Sequence, residues 1–197
     1  AIETFPDRLY GVSLLDLFGD EERVRADVRR VVGHERTLGI RMHACLRYEE
    51  CPTELDPDAD WIEDDALAPV WDEVARQDAA VFVFPKARQL PAVERLADDH
   101  PGVTVVVDHM AFPDESTAPD EAPWTAFEDL AAHDNVAVKL SSLPRSSEEP
   151  FPYEDMWGYV RRLVEWFGPE RLMLGSDYPW MDDWADYADC LDWIESV

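Results

Sequence analysis

The chain has 197 residues, 46% of them apolar, enough to bury one substantial core and to form a single domain. Its charge is extreme, because 44 acidic residues stand against 17 basic ones and give a formal net charge of -27. Such a surface repels nucleic acid and anionic lipid, and no apolar run is longer than a strand. We therefore exclude nucleic acid and membrane as partners.

Two further features of the composition indicate where the protein works. The acidic residues are dispersed along the chain and lysine is rare, as expected of a halophilic protein in a cytoplasm of very high salt, where ions screen the self-repulsion. The cysteines Cys45, Cys51 and Cys190 are odd in number and lack CxxC spacing. This usage indicates reduced thiols and a cytoplasmic location.

Apolar runs and the residues that interrupt them divide the chain into six units, each a strand followed by a helix. The predicted strands are Arg8–Leu15, Gly39–Leu46, Ala79–Phe84, Val103–Asp108, Val136–Ser141 and Arg171–Gly175. The predicted helices are Glu21–Thr37, Asp65–Gln77, Gln89–Asp99, Trp124–His133, Tyr153–Phe167 and Met181–Glu195. This alternation predicts an α/β fold with a parallel sheet covered by helices. A closed (β/α)8 barrel has eight units, so six units predict either an open sheet or part of a barrel.

Ionisable side chains stand where two of these strands end, His109 after the fourth and Asp177 after the sixth. Since the carboxyl ends of parallel strands meet at one edge of the sheet, this pair is a candidate active site. The imidazole suits a metal ligand or a group that polarises a carbonyl, and the carboxylate suits a metal ligand or the base that takes a proton from water. A buried histidine bonded to the backbone and a turn residue before Pro179 remain the structural alternatives.

Four other polar residues at strand ends are candidates for binding an anionic substrate: Arg41, His43, Lys139 and Arg145. Packing inside the barrel and metal ligation remain open for His43. Pairing with a carboxylate and extension of the ammonium group to the end of the sheet remain open for Lys139. The sequence has no glycine-rich phosphate loop, GxSxG elbow or HExxH motif. These absences disfavour a nucleotide-binding protein, a serine hydrolase and a zincin.

Three segments, VVVDHMAFP, NVAVKLSSLPR and RLMLGSDYPW, resemble the sixth, seventh and eighth strands of the amidohydrolase-related family, the "amidohydrolase 2" type of metal-dependent TIM-barrel hydrolase. Upstream, FPDRLYGVSLLD and LGIRMHACL resemble its third and fourth strands. The resemblance implies a (β/α)8 TIM-barrel-like fold in which residues 1–197 form one domain. It also implies that the chain holds the third to eighth units, lacks the first two and is incomplete at its last helix.

The same resemblance implies a hydrolase that acts on an amide, ester or lactone carbonyl of a small molecule, with one divalent ion, zinc foremost, or with no metal. The family's sixth-strand histidine falls on His109 and its eighth-strand aspartate on Asp177. No H-x-H pair exists in the sequence, and Phe84 stands where the fifth strand usually ends in a histidine. This favours a reaction with Asp177 as the general base and His109 either polarising the carbonyl or holding a metal. The alternatives are a decarboxylase of the same family and a non-catalytic barrel that binds a ligand, a partner or another copy through its unpaired edges.

Overall fold

The structure, a computed structural model, describes residues 4–5, 7–44, 61–113 and 117–197. Six parallel strands form one sheet in which each strand lies beside its neighbours in sequence. They are β1 Gly11–Leu14, β2 Thr37–Met42, β3 Ala80–Val83, β4 Thr104–Val107, β5 Val136–Leu140 and β6 Leu172–Leu174. This order never reverses, as in a (β/α)8 barrel and unlike a doubly wound sheet. The predicted parallel α/β fold is therefore confirmed, and the strand order fits part of a barrel.

Helices and 3-10 turns connect the strands. The helices are α1 Glu21–Val32, α2 Ala68–Arg76, α3 Leu90–Asp99, α4 Phe127–Ala131, α5 Leu143–Ser146, α6 Trp157–Phe167 and α7 Asp189–Asp192. Helix α1 follows the predicted logic: Asp20 caps it by accepting the Arg23 amide at 3.0 Å, and it buries Val24, Val28 and Val32, spaced four residues apart. It ends earlier than predicted, because Gly33 closes it and Thr37 already belongs to β2.

The predicted helix Met181–Glu195 is wrong. This segment forms a 3-10 turn at Trp180–Asp183, the four-residue α7 and a second 3-10 turn at Trp193–Glu195. Aspartate is a poor helix former, and like charges three or four residues apart repel each other. The segment carries five aspartates, which explains why its apolar spacing does not produce one helix: Asp182, Asp183, Asp186, Asp189 and Asp192. The predicted strand end at Leu46 and the cysteines Cys45 and Cys51 lie outside the described residues.

Alternation along the strands divides their side chains between two environments. Val105 and Val107 point into the main core beneath the helices, whereas Phe82, Val106 and Ala137 form a separate cluster on the other face of the sheet. The register places Arg41 opposite Phe82, and Phe82 opposite Val106. The face that carries the smaller cluster is called the inner face below.

Strands β1 and β6 are the edges of the sheet as described, and each pairs on one side only. Apolar side chains on these edges are exposed, with Leu14 at 56% and Leu174 at 45%. In the described part of the chain, no helix is both long enough and apolar enough to cross a membrane.

Candidate active site

The inner face leads to the carboxyl ends of the strands, where most of the sequence-predicted site residues lie. Arg41 is in β2, Lys139 is in β5, and Asp108 and His109 follow β4 directly. Lys139 is two residues beyond Ala137 and therefore shares its face, while Arg41 faces inward with Phe82. Alternation thus explains why these separated residues converge.

Asp108 is fully buried and draws two of the predicted substrate-binding cations to itself. Lys139 Nζ lies 2.5 Å from Asp108 Oδ1, and Arg41 Nε lies 2.7 Å from Asp108 Oδ2. The second contact is a close ion pair whose N–H is not aligned as a hydrogen bond. Because a buried carboxylate needs charged partners, this pairing gives Arg41 and Lys139 a definite structural role. Asp108 is also a site residue that was not selected from the sequence, although its position at the end of a buried strand was a usable signal.

His109 is buried, and its hydrogen-bond partners define its tautomer. Arg41 Nη2 lies 3.0 Å from His109 Nε2, and guanidinium can only donate, so Nε2 accepts. The proton is therefore on Nδ1, which donates towards Ser141 Oγ at 2.8 Å and Ser142 Oγ at 3.0 Å. Burial lowers the pKa of His109 from 6.5 to about 4, so the ring is neutral at pH 7.

His109 also begins a strained stretch of backbone. It and the three residues that follow, Met110, Ala111 and Phe112, all have φ between 50° and 56°, although none is glycine. Left-handed backbone costs non-glycine residues free energy and often occurs at functional sites. Here the turn brings the Phe112 ring to 5.1 Å from the imidazole ring.

Asp177 is the second predicted catalytic residue, and the structure brings it next to His109. Its Oδ1 lies 3.8 Å from His109 Nε2, and its Oδ2 accepts a hydrogen bond from Ser142 Oγ at 2.5 Å. Because His109 is neutral at pH 7, the 3.8 Å contact is not an ion pair at that pH. The Asp177 side chain is 13% exposed, so water can reach a carboxylate that is otherwise held by protein.

His109 and His43 share an aromatic neighbour. The Phe84 ring packs edge-on against both imidazoles, with centroid distances of 4.9 Å to His109 and 5.5 Å to His43. Burial and the neighbouring Arg41 lower the pKa of His43 to about 4. His43 is therefore neutral at pH 7, and Phe84 is an aromatic neighbour of both histidines.

Two exposed cations flank Phe112 at the outer rim of the site. Arg145 Cζ lies 4.7 Å from the centre of this ring, and Lys86 Nζ lies 5.0 Å from it. Among the described residues, neither cation has a carboxylate within ion-pair distance. Lys86, Arg88 and Phe112 help to line a cavity of about 280 Å3. Lys86 was not selected from the sequence, although it is one of only two lysines and follows β3 closely.

The described donor set does not fit a divalent ion. His109 and Asp177 could supply two ligands, but the described residues contain no group of three or more histidine, cysteine or acidic side chains placed to hold one. The Nε2 atom that would bind the ion instead accepts a hydrogen bond from Arg41, a cation itself. The predicted metal roles of His109 and Asp177 thus remain predictions.

The fold agrees with the comparison to known proteins. The amidohydrolase family profile matches residues 1–196, and the chain belongs to this family. An L-fucono-1,5-lactonase from Burkholderia ambifaria is 38% identical over 144 residues, which are 70% of this chain and 49% of that protein. A 2-pyrone-4,6-dicarboxylate hydrolase from Comamonas testosteroni is 31% identical over 129 residues, 61% of this chain and 42% of that protein. The chain thus spans about half or less of the length of these relatives.

Solved structures show the same fold. An amidohydrolase from Burkholderia multivorans with bound zinc superposes with a TM-score of 0.78 at 23% identity, covering 99% of this chain and 68% of that one. A probable 2-pyrone-4,6-dicarboxylic acid hydrolase from Acinetobacter baumannii, with citric acid bound, gives a TM-score of 0.73 at 17% identity, covering 99% and 68%. The predicted family and the TIM-barrel architecture are therefore confirmed.

Proposed function

We propose that this chain carries the main catalytic residues of a hydrolase that opens a lactone or ester of a small molecule. The observation that carries the proposal is the hydrogen-bonded series from Arg41 through His109 and Ser142 to Asp177, which leaves a partly exposed carboxylate beside a guanidinium group. The similarity to two lactone-hydrolysing enzymes supports a lactone as substrate. One is the L-fucono-1,5-lactonase, and the other is a 4-sulfomuconolactone hydrolase from Rhizobium radiobacter. The second enzyme is 32% identical over 90 residues, which are 45% of this chain and 30% of that protein.

In the proposed reaction, Asp177 takes a proton from water while the water oxygen attacks the carbonyl carbon. The ring C–O bond then breaks, and the protonated Asp177 returns the proton to the leaving oxygen. The His109 tautomer leaves no N–H free on Nε2, so the remaining N–H groups of Arg41 stabilise the developing oxyanion. His109 orients Arg41 at Nη2, and Asp108 holds the same guanidinium group at Nε. Lys139 in turn holds Asp108.

The form of the reaction that we propose needs no metal. Its support is the Arg41 guanidinium at His109 Nε2, which supplies positive charge beside the carboxylate. The metal-assisted alternative has the zinc-bound Burkholderia multivorans structure in its favour, and there His109 and Asp177 would be ligands. Elemental analysis of the purified protein and an activity assay after chelation distinguish the metal-free reaction from the metal-assisted one. Full activity without bound metal supports the metal-free reaction.

We further propose that the substrate carries an anionic group. Arg145 and Lys86 support this, because both are exposed, lie against Phe112 and have no described carboxylate partner. In a chain of net charge -27, two such neighbouring cations form a local site for a carboxylate. Arg41, His43 and Lys139 then shape the inner part of the same site.

The decisive experiment is turnover of a lactone and ester panel by the wild type and by Asp177→Asn. The variant should lose turnover and keep its fold, because an amide cannot take the proton. The same substitution at exposed Asp186 is the matched control and should leave the rate unchanged. Undiminished turnover in Asp177→Asn would refute the assignment, and release of carbon dioxide in place of ring opening would favour the decarboxylase.

A second candidate function is a non-catalytic module that associates with another copy. Its support is the pair of sheet edges, where Leu14 and Leu174 are exposed beside backbone that pairs on one side only. Analytical ultracentrifugation across a concentration series tests it. A concentration-dependent oligomer without turnover would favour this module over the hydrolase.

We also propose that the protein works in a cytoplasm of high salt. The net charge of -27 supports the high salt, because dissolved ions screen the repulsion between carboxylates. The buried, unpaired Cys190 supports a reducing compartment.

A further inference from the structure

Ser142 connects the two central residues of the site. It lies between β5 and α5, is buried, and places its Oγ 3.0 Å from His109 Nδ1 and 2.5 Å from Asp177 Oδ2. One hydroxyl thus joins the residue that follows β4 to the residue that follows β6. The neighbouring Ser141 is equally buried and contacts His109 Nδ1 at 2.8 Å, but its hydroxyl makes no hydrogen bond to Asp177.

The chemistry of the partners fixes the direction of each hydrogen bond. Arg41 only donates, so His109 accepts on Nε2 and carries its proton on Nδ1. An ionised carboxylate only accepts, so the Ser142 hydroxyl donates to Asp177 and its oxygen is left to accept from Nδ1–H. The arrangement is therefore consistent from Arg41 to Asp177.

The backbone at Ser142 also favours a role for its hydroxyl. Its φ is 63°, in the left-handed region where glycine is the residue without strain. A side chain there costs about 1 kcal/mol or more relative to glycine. The hydrogen bonds that the serine makes are the gain that offsets this cost.

We propose that Ser142 is a positioning residue for the general base. By holding Asp177 Oδ2, it leaves Oδ1, the oxygen that faces His109 at 3.8 Å, to take the proton from water. The inference rests on the proposed function for its kinetic consequence. The hydrogen-bonded link itself exists whether or not the chain turns over a lactone.

The kinetic test compares Ser142→Gly with Ser147→Ala. Ser142→Gly removes the hydroxyl and suits the left-handed backbone, so its melting temperature should not fall. Its kcat should fall about 10- to 100-fold with KM changed less than about threefold, as expected for loss of a residue that orients a catalytic group. Ser147→Ala removes a hydroxyl that donates to the Glu149 carbonyl and to Asp155, outside the site, and should leave kcat unchanged. A Ser142→Gly variant with the kcat of the wild type would overturn the proposal.

A spectroscopic test decides the inference even if no lactone is turned over. In protein labelled with 15N-histidine, Asp177→Asn should shift the His109 Nδ1 resonance, because the Ser142 hydroxyl transmits the change. The shift should persist in the Ser141→Ala background and become clearly smaller in the Ser142→Gly background, where only the direct 3.8 Å contact between Asp177 Oδ1 and His109 Nε2 remains. An equal shift in both backgrounds would show that Ser142 does not link the two residues. A wild type with no turnover and an intact link would refute the proposed function alone.

Discussion

Acid should destabilise this fold through His109, and the size of the effect follows from its burial. The pKa of the ring is 6.5 when exposed and about 4 in the folded protein, because burial disfavours the charged form. Between these values the unfolded chain binds a proton that the folded chain does not. Each pKa unit corresponds to about 1.4 kcal/mol, so His109 should remove roughly 3 kcal/mol of stability as the pH falls from 6.5 to 4.

The assay is urea unfolding of the wild type and of His109→Gln at intervals from about pH 7.5 to about pH 4. At neutral pH the variant should be the less stable protein, because it loses ring packing and hydrogen bonds. The difference should then narrow by roughly 3 kcal/mol as the pH falls, since glutamine takes up no proton. His43, which burial also keeps neutral, is present in both proteins and its contribution cancels from the difference.

His34→Gln is the matched control, because His34 is an exposed histidine outside the site. Its difference from the wild type should stay constant over the same pH range. If the difference between the wild type and His109→Gln also stays constant, the ring is not held neutral by burial. The assignment of the His109 proton to Nδ1, which rests on the contact with Arg41, would then also be wrong.

Three further predictions concern the substrate, the sheet and the charge. In parallel steady-state assays, Arg145→Ala should raise KM for a carboxylated lactone about tenfold and leave KM for an uncharged lactone unchanged. The reason is that one charge-assisted hydrogen bond contributes about 1.5 kcal/mol or more to the free energy of substrate binding. Gly39→Ala should lower the free energy of unfolding, measured in urea, by at least about 3 kcal/mol, because the added Cβ would lie 1.9 Å from the Ala80 carbonyl oxygen. Gly102→Ala is the control: its added Cβ meets nothing within 4 Å, so the free energy of unfolding should change little. Raising KCl from about 0.1 M to about 2 M should raise the melting temperature, because the ions screen the repulsion of a chain with net charge -27, and an unchanged or lower value would contradict that reasoning.

The sequence predicted the strands well because their signal is local. Valine-rich runs such as Val103–Asp108 fit a buried parallel strand and little else, and the structure has β4 at Thr104–Val107. The prediction of the final helix was wrong for an equally local reason. Its apolar spacing favours a helix, but its aspartates disfavour helix formation. Predicted ends were less accurate than predicted elements, as Thr37 shows by beginning a strand where a helix was expected to end.

The site was predictable in position and not in connectivity. That His109 and Asp177 approach each other follows from parallel strands, whose carboxyl ends share an edge. Which partner each polar group takes depends on register and side-chain direction, which the sequence does not display. Asp108 therefore pairs with Arg41, which was expected to bind substrate, and with Lys139, for which a carboxylate partner was one alternative. Ser142 bridges His109 and Asp177, two residues that were expected to act side by side.

The charge of the site runs against the charge of the chain, and this bears on how a substrate would reach it. The site has four cations, Arg41, Lys139, Lys86 and Arg145, against the carboxylates of Asp108 and Asp177, and so carries a net charge of +2. An anionic molecule is repelled by the whole surface at low salt and attracted only within a few ångströms of these groups. Salt shortens the range of the repulsion to less than about 10 Å above about 0.1 M, while contacts at hydrogen-bond distance are screened far less. The high salt that we expect to stabilise the fold should therefore also help an anionic substrate to reach the site.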